Sequence, residues 1–141
     1  MTIKKISYVD SKSINAIAIG GAVLGSGGGG DPYVGRLMTQ QSMNESGGVN
    51  VIDIESLPDD ALILPIAMMG APTVMIEKFP SGNEFAQLIP MIEKMLTKPV
   101  SAILCIEAGG LNSTIPFAAA SKLGLPIIDG DAMGRAFPEL Q

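Results

Sequence analysis

Three carboxylates stand where apolar runs give out: Glu107 after Val100–Ile106, and Asp129 and Asp131 after Leu125–Ile128. An ionised group in such a place is costly unless it is paired or bound to a metal. Desolvation also raises a carboxyl pKa toward that of a useful general base. A second chemistry-bearing stretch is Gly25-Ser26-Gly27-Gly28-Gly29-Gly30-Asp31-Pro32-Tyr33. Its glycines let the backbone approach a ligand with no Cβ in the way. Asp31 then offers a helix N-cap and Pro32 suits the first helical position. Unpaired N–H groups at a helix start favour an anion, so Gly27, Gly28, Gly29, Gly30 and Asp31 are candidate ligand-binding residues. Gly25, Gly27 and Gly30 match G-x-G-x-x-G, but a dinucleotide fingerprint requires a strand directly before it. The preceding residues read as a helix.

Composition narrows the chemistry. Among 141 residues there is no His, which removes the commonest general base, the usual triads and most zinc sites. Carboxylates, Lys, Arg, hydroxyls, Cys105, backbone amides or a bound metal must do any work. One Cys allows no internal disulfide, so nothing points to an oxidising compartment. Net charge is −5 without a basic run, which argues against nucleic acid and anionic membrane surfaces. No apolar stretch approaches the ~20 residues of a membrane span, and Met1-Thr2-Ile3-Lys4-Lys5 lacks a signal-peptide core. The expectation is a cytoplasmic single domain whose core is aliphatic and rich in Met.

The elements that must position these residues follow in order. Ser11 or Ser13 caps a first helix to about Leu24, and a second runs from Pro32 to about Asn44. Val49–Ile54 alternates as a strand. Ala61–Met69 reads as a strand buried on both faces. Gly70-Ala71-Pro72-Thr73 breaks it, and Val74–Lys78 reads as a short extended piece. Ser81 and Glu84 form a capping box for a third helix, with Phe85, Leu88, Ile89, Ile92 and Leu96 as its buried stripe and a kink or split at Pro90. Val100–Ile106 is a third strand, apolar on both faces. A fourth helix holds Pro116 in its first turn and stops at Gly124. Leu125–Ile128 is a fourth strand, and Asp129 to Gln141 reads as loop.

Buried strands alternating with amphipathic helices imply an α/β fold: a three-layer arrangement, a mainly parallel sheet with helices on both faces. Ligand crevices in such sheets lie beyond the carboxyl ends of the strands. The loops at Gly70–Thr73, Glu107–Asn112 and Asp129–Asp131 would therefore converge on one edge. That makes Gly109, Gly110, Asn112 and Arg135 further ligand-binding candidates beside the catalytic candidates Glu107, Asp129 and Asp131.

Several blocks together resemble the N-terminal domain of the S-methyl-thiohydantoin desulfurase-like family. They are the glycine stretch to Tyr33, Gly70-Ala71-Pro72-Thr73-Val74, Glu77-Lys78, Glu107-Ala108-Gly109-Gly110-Leu111-Asn112-Ser113 and Asp129-Gly130-Asp131-Ala132-Met133-Gly134-Arg135-Ala136-Phe137-Pro138-Glu139. The resemblance covers nearly the whole chain after Ser11. It implies a two-domain protein whose strand-rich second domain would follow Gln141, with activity on hydantoin-like or thiohydantoin rings and an association with hydantoinase and oxoprolinase proteins. It carries no catalytic assignment.

Each feature also has a plain structural reading. The glycine run could be a flexible connector, although connectors rarely pass straight into a capped helix. Cys105 reads as core filler rather than nucleophile, and the nine Met as core and interface. Asp53, Glu55, Asp59 and Asp60 read as solvated turn residues. Glu77 and Asp131 sit in loops that should be near Glu107 and Asp129. Salt bridges to Arg135, Arg36 or Lys78 compete with catalysis for these carboxylates. Mg²⁺ suits such oxygens, but the spacing predicts no metal, and the cofactor is left open. Three functions remain: an enzyme on a small cyclic amide, a nucleotide- or phosphate-binding module without a Walker lysine, and a non-catalytic subunit of a hydantoinase-type complex. A homo-oligomer is expected, because an aliphatic domain without its second half would leave an apolar patch exposed. Replacing Gly28 or Gly29 with Val is expected to abolish ligand binding at modest cost in stability.

Overall fold

The computed structural model describes residues 5–78 and 80–137. Met1–Lys4 and the Pro138-Glu139 end of the last family-like block lie outside the described residues. Strands β1 (Tyr8–Val9), β2 (Val49–Ile52), β3 (Leu62–Ile66), β4 (Val100–Cys105) and β5 (Ile127–Asp131) form one sheet in the order β1-β2-β5-β4-β3. The helices are α1 (Ile14–Gly25), α2 (Pro32–Ser46), α3 (Pro72–Glu77), α4 (Glu84–Leu96) and α5 (Ile115–Leu123). The four strands expected from the sequence run parallel, β2 beside β5, β5 beside β4 and β4 beside β3. The fold is α/β with a mainly parallel sheet. β1 adds an antiparallel edge to β2. At two residues it is too short to leave a periodic signal.

Register explains where the core lies. Val51, Ile127, Ile103 and Leu64 stand side by side across four strands, and this row belongs to the apolar cluster with Ile14, Met43, Ile115 and Phe117. The alternate row is less evenly covered: Ala102 and Ile128 are buried, Ile52, Ile63 and Leu104 are half-buried and Pro65 is exposed. β4 is largely buried, as expected, whereas β3 buries only Ile66. Its apolar run reads as doubly buried in sequence, but β3 closes one edge of the sheet.

The steps β3 to β4 and β4 to β5 go the same way along the sheet, so right-handed crossovers put α4 and α5 on one face. The two helices do touch. α5 also lies against β2, β3, β4 and β5, with α2 packed on it, which is why Ile115 through Ser121 are all buried. The α2–α5 contact uses small residues. Thr39 Oγ1 donates to the Thr114 carbonyl at 3.0 Å and Ser42 Oγ to that of Ala118 at 2.9 Å. A Cβ on Gly35 would fall 2.5 Å from Thr114 Oγ1. Short side chains let the helices approach closely, and each buried hydroxyl finds a carbonyl.

Four local expectations are corrected. Val74 to Glu77 is helical rather than extended, because Pro72 occupies the first turn of α3. Asp129–Asp131 continues β5 rather than forming a loop, since Asp131 pairs with Cys105. α4 runs unbroken through Pro90, which lies exposed. Leu88 and Leu96 are exposed at 53% and 48% instead of joining its buried stripe.

Candidate functional site at the carboxyl edge

The glycine loop and the turn after β4 meet backbone to backbone. Gly29 and Gly30 carbonyls accept from Asn112 N–H at 3.0 Å and Leu111 N–H at 3.3 Å. An added Cβ would lie 2.5 Å from the Gly109 carbonyl oxygen at Gly29, and 2.0 Å from that of Gly30 at Gly110. Both residues also have positive φ, +79° and +40°. A third segment closes the stack: the Ala136 methyl lies 3.0 Å from where a Gly28 Cβ would be, and 2.5 Å from one on Gly109. Valine at Gly29 would thus strike backbone, so the expectation of a modest stability cost there is corrected. Gly109, Gly110 and Asn112 are buried and Gly29 is half-buried, while Gly27, Gly28 and Gly30 are exposed. Among the described residues, the Gly29 and Gly30 N–H groups meet no acceptor.

Glu107 sits in the middle of this packing, 8% exposed. One carboxylate oxygen accepts from the Asn112 side-chain amide and the other from the Phe137 N–H. Asn112 in turn accepts from Met68 N–H at 2.8 Å and donates to the Met68 carbonyl at 3.2 Å. A single side chain therefore joins the end of β3 to the carboxylate after β4, with all its hydrogen-bonding groups engaged. Among the described residues no cation pairs with Glu107. A buried carboxylate in this position depends on the two N–H donors that reach it.

The neighbouring groups divide. The Cys105 thiol lies 3.1 Å from the Glu107 carbonyl and 3.4 Å from that of Asn112. Burial first, then the negative charge of Asp131, pushes its pKa up to about 12. At neutral pH it is a protonated thiol and no nucleophile. Asp131 accepts from the Met133 N–H at 2.9 Å and from the Gly134 N–H, fixing the turn that leaves β5. Asp129 is exposed, and with Asp53 it helps to raise the pKa of Lys5, whose main cause is the hydrogen bond from Lys5 to Asp53. Asp53 is thus ion-paired rather than merely solvated. Arg135 is exposed and stacks its guanidinium 5.1 Å from the Phe137 ring centre. Among the described residues it makes no ion pair. Asp31 caps α2 as read from sequence, accepting from Tyr33 N–H at 2.8 Å. That helix start already carries a carboxylate.

The structure therefore brings Glu107, Gly109, Gly110, Asn112 and the Gly28–Gly30 backbone into one packed cluster, with Asp131 beside it. It sets Asp129, Arg135 and Gly27 outside. Sequence reasoning missed three members: the Met68 backbone, the Phe137 N–H and the Ala136 methyl. Backbone groups carry no residue signature, so nothing in the sequence marked the first two. Among the described residues no three metal-ligating side chains come together, and no helix is long and apolar enough to cross a membrane. A groove of about 500 Å³ opens at the other end of the sheet, between Ser7, Asn50, Ser121 and Pro126.

A parallel α/β domain with its glycine loop locked onto the turn after a central strand is the class that fold and site define. The chain belongs to the S-Me-THD-like family, whose N-terminal domain matches residues 12–141. A crystal structure of a protein from Chromobacterium violaceum has the same fold, with a TM-score of 0.79 over 96% of this chain at 24% identity. This chain spans 37% of that protein's length. No curated protein matches it.

Proposed function

We propose that this chain is the N-terminal domain of an enzyme acting on a small cyclic amide, a hydantoin or S-methyl-thiohydantoin ring. The observation that carries the reading is the buried Glu107 carboxylate, held by one side-chain amide and one backbone N–H at the carboxyl end of β4. In this reading Glu107 is the base, oriented by Asn112, and Asp131 shapes the turn beside it. The free N–H groups of Gly29 and Gly30 face the oxyanion that forms when the ring carbonyl is attacked. Ligand entry requires the Ala136–Phe137 segment to lift, since it lies over both Gly109 and Glu107. A second domain beyond Gln141, a cytoplasmic setting and a hydantoinase- or oxoprolinase-type partner belong to the same proposal. Asp31 argues against the phosphate-binding alternative, because its carboxylate occupies the helix start that a phosphate would need.

The test is a thermal-shift panel of hydantoins, S-methyl-thiohydantoins and nucleotides on the full-length parent protein, followed by turnover assays. Ring compounds are expected to raise Tm and nucleotides to leave it unchanged. Glu107→Gln is expected to abolish turnover while retaining ring binding. Normal turnover by that variant, or stabilisation by nucleotides alone, would sink the proposal.

A further inference from the structure

Helix α4 carries two apolar seams. Phe85 and Ile89 turn inward onto the core cluster, Ile89 being 4% exposed. The second seam points outward: Leu88, Met91 and Met95 are 53%, 68% and 75% exposed. They continue the line of Glu84 at positions 84, 88, 91 and 95, the alternating spacing of four and three by which one helix seam meets another. Three large side chains in one exposed line are not the scattered apolar residues of an ordinary surface.

We propose that this outer seam is a homodimer interface, in which α4 packs antiparallel against α4 of a second copy about a two-fold axis. Charge decides both occupant and direction. Glu84 begins the seam, and Lys94 flanks its far end beside Met95. Antiparallel pairing sets Leu88 opposite Met91 of the second copy and Glu84 beside its Lys94, at both ends at once. Parallel pairing would bring like charges together and align the helix dipoles. The flanking ions are available. Glu84 uses only Oε1 within its own chain, on Ser81, and Lys94 has no ion-pair partner among the described residues. The nearby charges are otherwise committed, Glu93 to the Val100 N–H at 2.8 Å and Lys98 to Asp60 at 2.9 Å. An isologous contact needs a patch complementary to itself, and this one is.

Sedimentation equilibrium of the 141-residue chain tests the interface. A single helix pair is small, so we expect a dimer with Kd on the order of 10–100 µM. Met91→Lys should weaken it at least tenfold. Glu84→Lys should weaken it less, and Glu84→Lys combined with Lys94→Glu should restore it. Met91 and Lys94 are on the outer side of α4, so their variants should leave circular dichroism unchanged. Glu84→Lys also removes the Oε1 contacts to Ser81, a cost that the double reversal shares. Should Met91→Lys prove unfolded, the charge reversals still decide. A monomer at every concentration, or a dimer indifferent to Met91→Lys, overturns the proposal. A double reversal that fails to recover affinity overturns the antiparallel register.

Discussion

The two ends of the sheet hold opposite halves of what a site needs. At the carboxyl edge, Glu107, Asn112, Cys105 and Asp131 gather with glycine backbone. They are packed so closely that a Cβ on Gly110 would sit 2.0 Å from a carbonyl oxygen. At the amino edge, a groove of about 500 Å³ is lined by Ser7, Ser46, Asn50, Ser121, glycines and Pro126, with no titratable side chain. One end has chemistry without room, and the other has room without chemistry. Concavity alone is therefore a poor guide here. The residues able to move a proton are held by hydrogen bonds and close contact, and the proposed function requires the segment covering them to shift.

This contrast predicts a gradient of mutational effects, steepest at the carboxyl edge. Gly110→Ala combines a positive φ with a backbone collision and should cost about 3 kcal/mol or more. Urea unfolding measures it, and a loss below 1 kcal/mol would mean that the three segments are not clamped. Asn112→Ala strands the Met68 backbone and half of the Glu107 carboxylate, for about 2–4 kcal/mol. If Asn112→Ala were neutral, the bridge between β3 and Glu107 would have no energetic role.

Cys105 sharpens the comparison through pH. Its folded pKa, about 12, is raised above the ordinary 9.0, so the folded state retains a proton that the unfolded chain releases. The stability from this group is complete below pH 9 and is lost as pH rises toward 12. Alkylation by iodoacetamide at pH 8 should accordingly require unfolding, and rapid labelling of the native protein would contradict the burial. Asp31→Ala, at the exposed rim of the same cluster, removes one cap and should cost about 1 kcal/mol. At the amino edge, Asn50→Ala should change stability by no more than about 0.5 kcal/mol. A larger loss there would erase the difference between the two ends.

Much of the framework was legible because its signals are local. Asp31 and Pro32 cap α2 where the sequence places them, and Pro116 and Gly124 bracket α5. The four parallel strands coincide with apolar runs, with ends displaced by a few residues. One misreading overlooked a nearby proline, and the others arose where a distant neighbour overrode a local tendency. Val74–Glu77 is apolar enough for a strand but follows a helix-starting proline. Asp129–Asp131 carries turn residues but finds β4 to pair with. Leu88 has the spacing of a buried stripe yet faces outward, because α4 meets the rest of the molecule along Phe85 and Ile89.

Composition and periodicity by themselves determined the α/β class, the parallel strands, the start of α2, the bounds of α5 and the short list of groups able to do chemistry in a chain without histidine. These follow from backbone propensity and burial, which depend on near neighbours. Only the tertiary structure decided which candidates share a cluster. Glu107 and Asn112 are held by the Phe137 N–H and the Met68 backbone, groups that any residue would have supplied. Asp129 and Arg135 look equivalent in sequence but are turned to solvent by the direction in which the chain leaves β5. In sequence the glycines favour a ligand-binding or close-packing role over a flexible connector, without choosing between the first two. The structure gives them close packing, because the carbonyls of Gly29 and Gly30 face a second backbone with no space for a Cβ between.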